Sequence, residues 1–214
     1  MRHIPPTASR RLSSALLCAA ALLVVLPACA PLLIGGAMVG GGLMATDRRT
    51  SGAQIEDQSI ELKAAGRARE LAPDAHASVT SYNRMALITG EVASEAQRTA
   101  IEQAVTRIEN VRSVVNELAV MGSSSLTARS NDVLLSAKVK ATFVDAKDLQ
   151  ANAVKVVTER GTVYLLGRVT EREAARGAAL ARQVPGVQKV VRVFEILSEE
   201  ELAAMQPRPA PATR

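Results

Sequence analysis

An internal repeat constrains this chain more than any other feature. The segment VTSYNRMALITGEVASEAQR, Val79 to Arg98, aligns without a gap with VVTERGTVYLLGRVTEREAA, Val156 to Ala175, so that Gly90 falls on Gly167 and Val92 on Val169. After a one-residue difference in length, Val111-Arg112-Ser113-Val114-Val115 aligns with Val187-Gln188-Lys189-Val190-Val191. Two copies of one unit follow, each of roughly 65 residues, and a repeat at that period directs the chain to tandem small domains.

Each copy carries the same order of local signals. In the second, Ser130, Asn131 and Asp132 offer a helix N-cap, and Leu135, Val139 and Phe143 recur at helical spacing as far as about Ala146. Val154, Val156 and Thr158 then alternate, a turn falls at Arg160-Gly161, and Val163, Leu165, Gly167 and Val169 share one face, which reads as a hairpin. Thr170 with Glu173 forms the pattern of a capping box before a helix bearing Ala174, Ala178, Ala181 and Val184. Pro185-Gly186 stops it, and Val187 to Ile196 returns as a strand. The first copy repeats this order, with helices near Glu56–Leu71 and Ser94–Ile108 and strands near Ala77–Ser81, Ala86–Val92 and Val111–Val120. The expected fold is α+β: two tandem domains, each a two-layer sandwich of a three-stranded mixed sheet with two helices on one face, in the order αββαβ. Units of this size have marginal cores, so the copies are expected to pack on each other.

The chain ahead of the repeat has the layout of an export signal. Arg2, Arg10 and Arg11 make a basic start, Leu12 to Leu26 is apolar and uncharged, and Pro27, Ala28 and Cys29 follow. Such a run is shorter than the roughly 20 residues that a spanning helix wants. The stretch resembles the lipobox of bacterial lipoproteins, in which the cysteine after the cut is acylated. Leu26 and Ala28 fit that pattern, Pro27 is an unusual middle residue, and the rival Cys18 follows a bulky Leu17. A soluble secreted protein cut near Ala28 or Ala30 is the alternative. Ala30 is not the aspartate that retains many lipoproteins at the inner membrane, so the resemblance implies the outer membrane, periplasmic leaflet. The expected organisation is a signal peptide over 1–28, an acylated Cys29 with a glycine-rich tether over 29–55, domains over 56–120 and 131–197, a serine-rich linker over 121–130, and a disordered tail over 198–214.

Removing the signal also removes three arginines, leaving 23 Lys+Arg against 21 Asp+Glu. With Tyr82, Phe143, Tyr164 and Phe194 as the only aromatics, the chain lacks the stacking groups of a nucleic-acid binder. After cleavage Cys29 is the only cysteine, so no disulfide is expected. His76 alone does not make a zinc site, no nucleophile, base and acid set can be assembled, and no phosphate-cradling glycine loop is present. Neither catalysis nor a cofactor is expected. Gly90 and Gly167 are read as structural, because glycine inside a strand marks a bulge or a close backbone approach.

Charge separates the two domains. Across 57–120 there are seven Lys+Arg against nine acids, a net of −2; across 131–197 there are eleven against seven, a net of +4. A basic domain beside an acidic one points the former at an anionic surface. On the first helix of the second domain, Val133, Ala137, Lys140 and Val144 share a strip away from the core positions, with Leu134, Lys138 and Ala141 on its flank. An apolar strip interrupted by lysine suits insertion among lipid headgroups, or else packing against a protein.

The ATDRR after the tether, the SND that opens the second domain, VTERGTVYLLGRVTEREA and the closing PGVQKVV together resemble the dual-BON-domain outer-membrane lipoproteins, over almost all of the mature chain. That resemblance implies a non-enzymatic protein that maintains envelope integrity. It also implies that the second domain binds anionic phospholipid such as phosphatidylglycerol, with links to outer-membrane protein assembly machinery and to regulators of division-site peptidoglycan amidases. With the strip and flank read from helical spacing, the expected phospholipid contact is Val133, Leu134, Lys138, Lys140, Val144 and Lys147, Leu134 standing where lipid-binding relatives carry tryptophan. A periplasmic scaffold or chaperone-like factor using the same strip is the competing function. Radioactive fatty acid fed to cells is expected to label the wild-type chain and not Cys29→Ala; an unlabelled wild type would defeat the anchor.

Overall fold

The computed structural model describes residues 47–205. Cys29, the signal segment, the glycine-rich stretch up to Thr46 and the proline-rich Gln206 to Arg214 lie outside the described residues.

The first domain opens with α1 (Ser51–Leu71), capped by the Thr50 hydroxyl, which accepts from Ala53 N at 3.1 Å. The helix starts five residues inside the expected tether, because the Thr50 side chain caps it there, while the Asp57 carboxylate is taken up by the β1–β2 turn. Next come β1 (His76–Tyr82), β2 (Met85–Val92), α2 (Glu95–Thr106) and β3 (Ser113–Val120). The sheet order is β1-β2-β3, with β2 central, antiparallel to β1 and parallel to β3. Ala53, Ile60, Ala64 and Ala68 of α1 and Ile101 and Val105 of α2 are buried on the side of the sheet formed by Ala86, Ile88 and Val92.

The second domain repeats this with α3 (Leu126–Asp145), β4 (Val154–Glu159), β5 (Thr162–Thr170), α4 (Glu171–Arg182) and β6 (Lys189–Leu197), sheet order β4-β5-β6. The capping box of Thr170 and Glu173 forms. Two boundaries differ from expectation. Helix α3 begins at Leu126, inside the expected linker, with Ser125 as its cap accepting from Ala128 N at 3.2 Å. Residues Glu199–Met205, expected as disordered tail, form a short helix α5.

Asp132 is therefore not a cap. Its carboxylate is buried and accepts from Arg160 N (2.8 Å) and Gly161 N (2.9 Å), holding the β4–β5 turn. Its counterpart Asp57 accepts from Ser81 Oγ (2.6 Å), Arg84 N (2.7 Å) and Asn83 N (2.8 Å) at the β1–β2 turn. Both turns have two residues at positive φ, Asn83-Arg84 and Arg160-Gly161, as a two-residue hairpin loop of this twist requires. One buried aspartate per copy supplies the acceptors that the turn N–H groups would otherwise lack.

The two sheets pack face to face. Alternate residues of the central strands point away from the helices, and Tyr82, Leu87, Tyr164, Leu166 and Val193 bury against one another, with Val115, Val157 and Val191 at the edge. The result is four layers, helices outermost. Polar groups close the rim: Lys155 Nζ meets Glu61 at 2.9 Å, Asn83 Nδ2 donates to Glu195 at 2.6 Å, and Tyr164 Oη donates to Glu117 at 3.3 Å.

Gly90 and Gly167 sit where the antiparallel partner strand presses closest. A Cβ on Gly90, itself at φ 113°, would lie 1.8 Å from the His76 carbonyl oxygen, and one on Gly167 would lie 2.3 Å from that of Ala153. Because those atoms are backbone, neither can yield cheaply. Gly90→Ala and Gly167→Ala are each expected to cost about 3 kcal/mol, read as a lowered urea midpoint.

Glu159 lies against this seam near His76, 3.8 Å away. Burial pushes its carboxyl up to about 7, and the charges of Glu91 and Asp132 push in the same direction. A carboxyl whose pKa rises on folding takes up a proton as the chain folds, so its contribution favours the folded state at low pH and is lost between the ordinary 4.5 and about 7. Glu159→Gln is expected to flatten the fall in stability across that window and to be more stable than wild type at pH 8, measured by urea unfolding.

Candidate functional site

Helix α3 is 20 residues long, which gives it a length of about 30 Å. One face is committed to the core: Leu135, Val139 and Phe143 are buried under the second sheet. Since the sheets occupy each other's free faces, the opposite side of α3 is largely exposed among the described residues. Val133 is 69 % exposed, Leu134 60 % and Val144 72 %, and Leu126, one heptad before Val133, is 79 % exposed. Ala137, Lys138, Lys140 and Ala141 are exposed between them, as is Lys147 just beyond the helix.

All six residues expected to meet phospholipid thus lie on the surface, but they do not form one pocket. Lys140 and Val144 share a recess with Asp47, Arg49, Tyr82 and Lys155. Leu134 and Lys138 border a cleft with Asn131, Arg160 and Gln188. Val133 lies between, over the recess that contains His76 and Glu159. The arrangement is an apolar arc flanked by lysines, about one third of the helix circumference wide. Leu126 extends it by two turns towards the helix start. The spacing from Leu126 through Val133 to Lys140 signals this in the sequence, once Ser125 is recognised as the cap.

The sequence also gave no role to Arg48 and Arg49. The Arg48 guanidinium, whose side chain is 7 % exposed, donates to both carboxylate oxygens of Glu173 at 2.7 and 2.8 Å, to Arg168 O at 2.8 Å and to Gln150 Oε1 at 3.0 Å. Arg168 Nη1 returns a bond to Arg48 O at 3.0 Å. These donors, chiefly the Arg48 fork and then the Thr170 backbone N–H, hold the Glu173 carboxyl below its usual range. Arg49 turns to the first domain, pairing with Asp57 at 2.8 Å and lying 4.3 Å over the Tyr82 ring. Among the described residues no group of three or more His, Cys, Asp or Glu is placed to hold a metal, and no helix is long and apolar enough to cross a membrane.

Comparison with known proteins agrees with this architecture. Residues 60–122 and 131–198 each match the BON domain. The outer membrane lipoprotein DolP of Haemophilus influenzae is 36 % identical over 169 residues, which cover 75 % of this chain and 87 % of that protein. A 21 kDa hemolysin of Actinobacillus pleuropneumoniae is 27 % identical over 69 % of this chain and 78 % of its own length. Among solved structures, the type III secretion structural protein CdsD of Chlamydia trachomatis aligns over 73 % of this chain and 99 % of its own, at 14 % identity and a TM-score of 0.25. Two BON domains in tandem, with this degree of identity to an envelope lipoprotein, make the chain a member of the BON-domain family, of the dual-domain DolP type.

Proposed function

We propose that this protein binds anionic phospholipid through the outward face of α3 while anchored by acylated Cys29 to the periplasmic leaflet of the outer membrane, and that it helps to maintain envelope integrity. The observation that carries the reading is the exposed arc of Leu126, Val133, Leu134 and Val144 between Lys138 and Lys140. Apolar side chains of this size gain roughly 1.5–3 kcal/mol each on full burial, and each basic residue near an anionic surface adds about 1 kcal/mol. Partial insertion of a few such groups gives a weak contact by itself. An acyl anchor turns that contact into an intramolecular one, in which even a weak affinity is enough. The basic balance of the second domain, +4 against −2 in the first, favours this domain for the role. Its working form is a binding module rather than an enzyme. Contacts with outer-membrane assembly machinery or amidase regulators are proposed on the resemblance alone.

The test uses the mature chain carrying Cys29→Ser, so that no acyl group contributes. It is expected to sediment with phosphatidylglycerol vesicles at low salt, to be released as salt rises, and to ignore phosphatidylcholine. Val133→Asp and Leu134→Asp are each expected to weaken binding about tenfold, since a charge replaces an inserting side chain. No sedimentation at low salt would sink the proposal. Loss of captured protein partners in Val133→Asp, with vesicle binding intact, would transfer the surface to the scaffold function.

A further inference from the structure

In the order of the sequence, the tether leads into the first domain, which would place that domain next to the membrane and the basic domain beyond it. Contacts at Asp47 to Arg49 instead bring the incoming chain to the second domain first. Arg48 is clamped on the second domain, by the bidentate pair with Glu173 and the bonds to Arg168 O and Gln150, and the Arg168 guanidinium closes the loop onto Arg48 O. Only the next residue, Arg49, crosses to Asp57 and Tyr82 of the first domain. Asp47, where the chain enters the folded body, shares its recess with Lys140 and Val144 of α3.

We infer that Arg48 is a positioning residue: it straps the incoming chain to the second domain, so that the anchor delivers α3 to the membrane rather than the first domain. The strap itself rests on geometry; what α3 meets there rests on the proposed lipid binding. Seventeen residues separate Cys29 from Asp47. At full extension they reach about 60 Å, so the body stays within that distance of the bilayer, and the clamp sets the point of attachment on the second domain, beside Lys140 and Val144 of α3. An arginine fork suits a strap that must hold one orientation, since two parallel bonds to a carboxylate fix angle as well as distance.

The full acylated chain allows a direct test, because Cys29 is its only mature cysteine and the acyl group blocks it. In one arm, spin labels on Asp47→Cys and Val144→Cys are expected to give a single short distance. Arg48→Ala is expected to broaden it, and Arg48→Lys to restore it in part. In the other, a label on Val133→Cys in phosphatidylglycerol vesicles is expected to lose about threefold in contact with a membrane-dissolved quencher in Arg48→Ala, while the anchor keeps the protein on the vesicle. Without the acyl group, wild type and Arg48→Ala are expected to sediment alike, showing that Arg48 does not itself bind lipid and that the variant is folded. A broad distance in wild type, or a Val133 label unaffected by Arg48→Ala, would overturn the strap. A narrow distance with no quenching in either protein would keep the strap and remove the lipid reading.

Discussion

The sheet-to-sheet seam is the contact on which the rest of the molecule depends. A three-stranded sheet with helices on one face leaves its other face bare, and a domain of this size cannot afford that exposure. Tyr82 and Leu87 of one copy and Tyr164, Leu166 and Val193 of the other fill the gap. Because each sheet covers the other, the helices are forced outermost, and among the described residues most of the outer side of α3 is left uncovered. The exposure of Val133, Leu134 and Val144 is thus a consequence of how the domains satisfy each other.

What the two copies share and where they differ follow different demands. The shared devices are local. Asp57 and Asp132 hold the hairpin turns, and Gly90 and Gly167 admit the carbonyl of the neighbouring strand. These are requirements of one fold, met twice. The outward faces are free of that demand. Helix α1 also exposes apolar residues, Ile55 and Leu62, with Lys63, Arg67 and Arg69 as well as Glu56, Glu61 and Glu70 on the same helix, and it is the net acidity of its domain that sets it against an anionic surface. In α3 the exposed apolar residues lie among lysines.

Much of this was legible along the chain. Periodicity placed Leu135, Val139 and Phe143 inside and Val133, Lys140 and Val144 outside, and both groups are there. The capping box at Thr170 was legible because it is contained in four consecutive residues. Helix starts were less so: Thr50 and Ser125 cap their helices from within stretches that composition assigned to tether and linker. Asp132 was misread because a buried aspartate that binds a turn 28 residues away looks, locally, like a cap. The apolar run Val163 to Leu166 did carry a hint of the seam, since a strand covered on one face only would alternate.

The sequence alone determined the repeat, the αββαβ order, the core faces and the charge difference between domains, because each depends on residues close together in the chain. Tertiary structure decided which faces remain free, and it decided that Arg48 answers to Glu173, 125 residues away. Local spacing cannot specify such pairings, because a guanidinium at the end of a tether is equally compatible with water, with a headgroup or with a buried carboxylate. Only the folding of the second copy against the first brings that carboxylate to it.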